Sequence, residues 1–243
     1  MAREPKTRQR AAYQLPPGRH GFSREYVEDN QRQRILDAVA AVVSLGGYQA
    51  MSVEAVVATA GVSRRTFYDY FASKDDAFLT AYETIGGQLI QRVQAAYASS
   101  ATFEEGVVGC LGAFLEFIAS KPEYAELCIV EGMAAGPAAL ERRKAVLTAL
   151  VQLVRAGADT LPERLHPPEL TTETIVGGIY EIVYSRVLEG KTAELPELVP
   201  DLAYSMLLPY LGHEAAERAV QRLTGAEPDA MFLVVDQHVE DPA

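Results

Sequence analysis

The stretch Ser52-Val-Glu-Ala-Val-Val-Ala-Thr-Ala-Gly61-Val62-Ser63-Arg64-Arg65-Thr66-Phe67-Tyr68-Asp-Tyr70-Phe71-Ala-Ser73-Lys74 decides how this chain folds. Ser52 and Ser63 are each placed to cap a short helix, because a serine hydroxyl accepts one of the backbone N–H groups that a helix start leaves unpaired. Ala60-Gly61-Val62-Ser63 between them makes a tight corner, with glycine supplying the turn conformation. Val56 and Val57 on the first helix, Val62 in the turn, and Phe67 and Phe71 on the second form the expected seam. Arg64, Arg65, Thr66, Tyr68 and Tyr70 then fall on or near the outward side. Two arginines and a threonine at the start of a second helix suit base edges in a DNA major groove, since arginine bonds guanine O6 and N7 in bidentate fashion. The tyrosine hydroxyls and Lys74 suit phosphate oxygens, which fix register without reading sequence.

The pattern on both sides is helical. Upstream, Ile35, Leu36, Val39, Val42 and Val43 recur every three or four residues from about Asn30, until Gly46-Gly47 ends the run. Downstream, Ser73-Lys74-Asp75-Asp76 reads as a capping box, and the helix it opens carries Phe78, Ala81, Ile85, Leu89 and Val93 on one side. Further helical stretches fit 102–120, 123–131, 136–157, 171–189, 196–211 and 213–223, punctuated by glycine and proline, and sustained period-two alternation is absent. The chain is therefore expected to be all-α, with an N-terminal three-helix helix-turn-helix domain at 25–80 and a larger helical effector and dimerisation domain at 81–223. Residues 1–24 hold six basic residues against Glu4 and several Pro and Gly, which reads as a disordered basic arm. Residues 224–243 read as a flexible tail.

Net charge is −11, which by itself argues against nucleic acid, but its distribution matters more. Residues 1–75 hold 11 Lys+Arg against 8 Asp+Glu, and residues 76–243 hold 11 against 25. A mildly basic head on an acidic body directs phosphate to one end only. No apolar run approaches the roughly 18 residues of a membrane span, and the polar, basic start lacks a signal-peptide core, so the expected location is cytoplasmic. Cys110 and Cys128 sit in apolar helical context and read as core thiols. The four histidines lack metal-ligand spacing, and GxSxG, CxxC, HExxH and GxGxxG are all absent. Neither catalysis nor a metal or cofactor is expected.

The stretch from Thr59 to Asp75, with the Gly46-Gly47-Tyr48 break before it, resembles the TetR family of bacterial regulators over about residues 30–80. The resemblance implies a dimeric repressor of palindromic operator DNA, released by a small-molecule effector, with activation as the other sense of regulation. It assigns base contact to Arg64, Arg65 and Thr66, and phosphate contact to Ser52, Tyr68, Tyr70 and Lys74. Arg65 departs from the family's common glycine, which bears on operator choice. Glu54, near the groove, either repels phosphate or accepts from cytosine N4.

Beyond residue 100 the resemblance is architectural. A short helix-turn-helix reads palindromes as a dimer, so some helical surface must self-associate. Ile175, Ile179, Ile182 and Val183 on one helix, with Leu202 and Met206 on the next, are the candidates, and Gly177-Gly178 allows close approach. Family likeness makes these helices half of a four-helix bundle. Phe114, Phe117, Tyr124, Met133, Tyr180 and Tyr184 are the candidates for an apolar effector pocket with hydroxyl handles. The competing reading is a helical small-molecule-binding or protein-interaction protein whose head has lost DNA binding, which Glu54 and the acidic body favour.

Overall fold

Among the described residues, each of the first five helices starts on a hydroxyl. The computed structural model describes residues 23–162 and 165–225. In it, Ser23, Ser52, Ser63, Ser73 and Thr102 have extended backbones, and each side-chain oxygen accepts a backbone N–H three residues on. Such caps contribute roughly 1 kcal/mol each. They open α1 (Arg24–Ala50), α2 (Val53–Ala60), α3 (Arg64–Tyr70), α4 (Lys74–Ala98) and α5 (Phe103–Ser120). The remaining helices are α6 (Pro122–Ala125), a π-helical run Glu126–Glu131, α7 (Gly132–Ala134), α8 (Pro137–Ala158), α9 (Leu170–Leu188), a 3₁₀ run Thr192–Leu198, α10 (Val199–Leu211) and α11 (His213–Thr224). No strand occurs among the described residues, so the all-α class holds.

Several boundaries differ from the sequence reading. α1 starts at Arg24, not near Asn30: Ser23 caps it and its first turns face solvent, so they carry no apolar rhythm to read. Ser23 and Arg24 therefore belong to the head and not to the arm, whose residues 1–22 lie outside the described residues. Thr224 ends α11 and Gly225 caps it, and the rest of the tail, 226–243, is likewise outside. The expected helix 196–211 begins only at Val199, because Pro196 sits in the 3₁₀ run, while Pro200 occupies the first turn of α10, where a missing N–H costs nothing. The stretch expected as one helix, 123–131, is a short α-helix that widens into the π-helical run.

α1, α2 and α3 pack around Ile35, Val39, Val43, Val56, Phe67 and Phe71, all buried. Arg34 on α1 donates to the carbonyls of Ala60 and Gly61, the latter at 3.1 Å, which ties the corner to the first helix. Gly61 adopts φ 64°, ψ 37°, the left-handed conformation the corner requires. α4 is the link to the body. At 25 residues it spans about 37 Å, starting beside α3 and continuing between α5 and α8. Its buried side, Phe78, Ala81, Tyr82, Ile85, Leu89 and Val93, contributes to one apolar core that runs through the described residues.

Candidate functional site

The outward face of the head is built from the start of α3. Arg64 and Arg65 are both exposed, and Tyr68, one turn on, is 47% exposed. Phe67, between them in sequence, is fully buried and holds the helix down. Arg64 is ion-paired with Glu54 of α2 and lies 5.7 Å from the Tyr68 ring centroid. The Tyr68 hydroxyl and the Glu54 carboxylate together hold the guanidinium above its ordinary pKa range. Thr66 is half-buried, its hydroxyl 2.8 Å from that of Ser63. Ser52 is engaged as the cap of α2. The Tyr70 hydroxyl donates to Gln31 at 3.1 Å, and Lys74 donates to the Met51 carbonyl at 3.0 Å. The seven residues expected at DNA are thus gathered on one end of the molecule. Arg64, Arg65 and Tyr68 are the ones left open to solvent. Tyr70, Lys74 and Ser52 brace the head from within.

Behind the head lies a cavity with about 1030 Å³ of atom-free space, counting its mouth. α4 supplies Tyr82, Ile85, Leu89, Val93 and Tyr97 to its wall. α5 supplies Val107, Leu111, Phe114 and Phe117, and α8 supplies Arg143, Val146, Leu147, Leu150 and Val154. Cys128 and Ile129 of the π-helical run and Tyr180 of α9 close one end. Of the six expected pocket residues, Phe114, Phe117 and Tyr180 line this space. Tyr124 does not: its hydroxyl points to α1 and donates to Asp37 at 2.9 Å. Met133 is 47% exposed, and Tyr184 packs half-buried on the core outside the lining. Spacing alone missed α4 and α8. A legible signal existed in α8, where Arg143 stands on the same stripe as Val146, Leu147, Leu150 and Val154.

The cavity and the head share a boundary. Glu131, at the end of the π-helical run, accepts the Tyr48 backbone N–H at 2.8 Å, and the Tyr48 hydroxyl donates to Asp75 at the start of α4, also at 2.8 Å. Burial and the Asp75 carboxylate push the Tyr48 phenol up to about 12. The Tyr180 hydroxyl donates to the carbonyl of Ile129 in the same π-helical run, again at 2.8 Å. A segment that walls the cavity therefore holds the end of α1 on its other side. Burial also pushes up the thiols of Cys110, to about 12, and of Cys128, consistent with core cysteines.

The expected dimer residues divide. Val183, Leu202, Met206 and Ile179 are buried in the chain's own core. Ile182 is 41% exposed and Ile175 is half-buried. The outer face of α9 and α10 instead carries Gly177, Gly178, Ile182, Leu188 and Leu208, all exposed, and a Cβ built on either glycine meets nothing within 4 Å. Leu188 and Leu208 are the members that sequence reasoning did not single out.

Residues 35–81 match the family described as bacterial regulatory proteins, tetR family. The chain is 40% identical over 65 residues to the HTH-type transcriptional repressor KstR of Mycolicibacterium smegmatis, covering 27% of this chain and 30% of that one. It is 32% identical over 72 residues to the fatty acid metabolism regulator protein of Bacillus subtilis, covering 30% and 37%. The match thus spans about a third of the length of these curated relatives. The fold extends further. FadR of Bacillus halodurans, a fatty acid degradation regulator, superposes with TM-score 0.66 at 21% identity, over 76% of this chain and 96% of that one. FadR of Bacillus subtilis, solved in complex with stearoyl-CoA, gives 0.64 at 19% identity, over 74% and 98%. Residues 35–81 thus match the tetR family of bacterial regulatory proteins, and the helical body that carries them shares its fold with these solved regulators.

Proposed function

We propose that the chain is a sequence-specific DNA-binding transcription regulator, a homodimeric repressor of palindromic operators that a small-molecule effector releases. The observation that carries the reading is the exposed Arg64-Arg65 pair at the start of α3, braced from behind by buried Phe67. That is where a recognition helix meets base edges. Tyr68, with Lys74 freed from Met51, supplies phosphate contacts. The exposed Gly177, Gly178, Ile182, Leu188 and Leu208 supply the self-association that a palindrome demands. The effector is a predominantly apolar molecule held beside α4, and the likeness to a regulator solved with stearoyl-CoA favours an elongated one. It acts by preferring one of two placements of the heads, since a ligand shifts an equilibrium only by its differential affinity. The contacts of Glu131 with Tyr48, and of Tyr124 with Asp37, are the route by which the cavity wall reaches the head.

A second reading, a helical binding protein with a degenerate head, is favoured by one observation: Glu54 occupies Arg64. Selection of bound duplexes from a random pool separates the two. Wild type is expected to recover a palindrome in a strongly salt-dependent manner. Arg64→Ala or Arg65→Ala should lose roughly 5- to 150-fold in operator affinity and blur base preference. Lys74→Ala should weaken all sequences alike. Failure of wild type to enrich any sequence, with and without fatty acyl compounds, supports the second reading instead.

A further inference from the structure

The cavity wall is apolar except at one end. Among the described residues, Arg143 of α8 is the charged member of the lining. Its guanidinium carbon sits 4.1 Å from the centroid of the Tyr180 ring, and its Nε is buried without a hydrogen-bond partner. Glu83 of α4 pairs with the neighbouring Arg142 at 2.6 Å. Arg143 is half-buried, and drawing part of a guanidinium out of water without a hydrogen-bond partner is costly. A ring face and one phenol repay part of that cost, and an anion would repay more.

The opposite end is lined by a ring. Tyr97 packs against Gly106 and Gly157, so closely that a Cβ on either glycine would lie 2.5 Å or 2.3 Å from it. α8 runs antiparallel to α4: Arg142 meets Glu83 at one end, and Gly157 meets Tyr97 at the other. From Tyr82, beside the Arg143 end, to Tyr97 is 15 residues of α4, or about 22 Å of wall. The space is therefore elongated, cationic at the end nearer the head and apolar towards Tyr97.

We propose that this cavity binds a single-chain amphiphile whose anionic group is bonded by Arg143 and whose hydrocarbon tail runs along α4 towards Tyr97. The inference rests on the effector reading above and adds polarity, orientation and an anchoring residue to it. It places the charged end of the ligand against Cys128 and Ile129, in the segment that holds Tyr48 through Glu131. The anion is either the carboxylate of a free long-chain acid or a phosphate of its coenzyme A thioester.

The test is direct binding of hexadecanoate, hexadecanol and hexadecanoyl-CoA to the full chain, wild type and Arg143→Met, by calorimetry. Wild type is expected to bind hexadecanoate ~10- to 150-fold more tightly than hexadecanol, the span of a hydrogen bond to a charged group. Arg143→Met should bring the two together, chiefly by weakening hexadecanoate, and a far-UV circular dichroism spectrum matching wild type shows that the variant is folded. Arg143→Lys, which keeps the cation, should retain part of the preference. If instead only hexadecanoyl-CoA shows an anion preference that Arg143→Met abolishes, the anionic anchor stands and its source is the coenzyme. Equal binding of acid, alcohol and thioester, or a preference that survives Arg143→Met, overturns the anchor while leaving an apolar effector site in place. Failure of all three compounds to bind wild type overturns the anchor and the effector reading together.

Discussion

Gly46 and Gly47 are adjacent and look alike in the sequence, yet alanine at the two positions should move stability in opposite directions. Gly47 has φ 77°, ψ 166°, a region essentially closed to side chains, and alanine there costs roughly 1–3 kcal/mol in strain alone. Its Cβ would also stand 3.2 Å from Glu131 Oε1, tighter than ordinary packing. The same carboxylate accepts the Tyr48 N–H at 2.8 Å, and displacing it leaves a half-buried donor unpaired, for about another 1–3 kcal/mol. The expected loss for Gly47→Ala is therefore ~2–6 kcal/mol. Gly46 lies on the exposed, helical side of the break, where the nearest foreign atom to a Cβ is that of Ala50 at 3.5 Å. Gly46→Ala should stabilise by roughly 0.4–1 kcal/mol, mostly by restricting the unfolded chain. The assay is urea unfolding followed by far-UV circular dichroism, at matched protein concentration because self-association adds to apparent stability. A double-mutant cycle with Glu131→Ala should show coupling, since both changes act on one hydrogen bond. A Gly47→Ala midpoint indistinguishable from wild type, or a Gly46→Ala loss as large as that of Gly47→Ala, would refute the reasoning.

Two further expectations concern pH and assembly. Burial raises the Cys110 thiol from 9.0 to about 12, raises Cys128 in the same direction, and helps raise the Tyr48 phenol to about 12. The folded chain thus keeps protons that the unfolded chain releases. Their contribution to stability is intact below about pH 9 and is lost as pH rises towards 12. Urea midpoints should accordingly fall between pH 9 and 10.5, and a midpoint that rises over this interval contradicts the assignment. If the exposed face of α9 forms the proposed interface, Ile182→Asp should yield a folded monomer by light scattering at concentrations where wild type self-associates. A variant that stays dimeric there removes this face as the interface.

The head was the more legible half because the rules that build it are local. Ser52, Ser63 and Ser73 announce helix starts, Gly61 announces the corner, and Phe67 and Phe71 alternate with residues that face outward. Each of these signals acts within about four residues, so one segment carries its own instructions. The candidate pocket was less legible. Phe114, Phe117 and Tyr180 face the cavity, but Tyr124, with the same chemistry, turns to Asp37, and Met133 faces solvent. Periodicity says which side of a helix is apolar and leaves open what lies opposite.

By itself, the sequence determined an all-α chain, a helix-turn-helix at residues 52–74 and the exposure of Arg64 and Arg65, since capping, turn conformation and helical periodicity are short-range effects. Only the tertiary structure decided the fate of apolar residues that the sequence leaves equivalent. It placed Val183, Leu202 and Met206 in the core and Ile182 on the surface, put Arg143 at the end of a cavity, and set Glu131 against Gly47. These outcomes depend on which helix packs on which, and that is fixed by how residues distant in sequence share one packed volume, where even a methyl group more or less is felt.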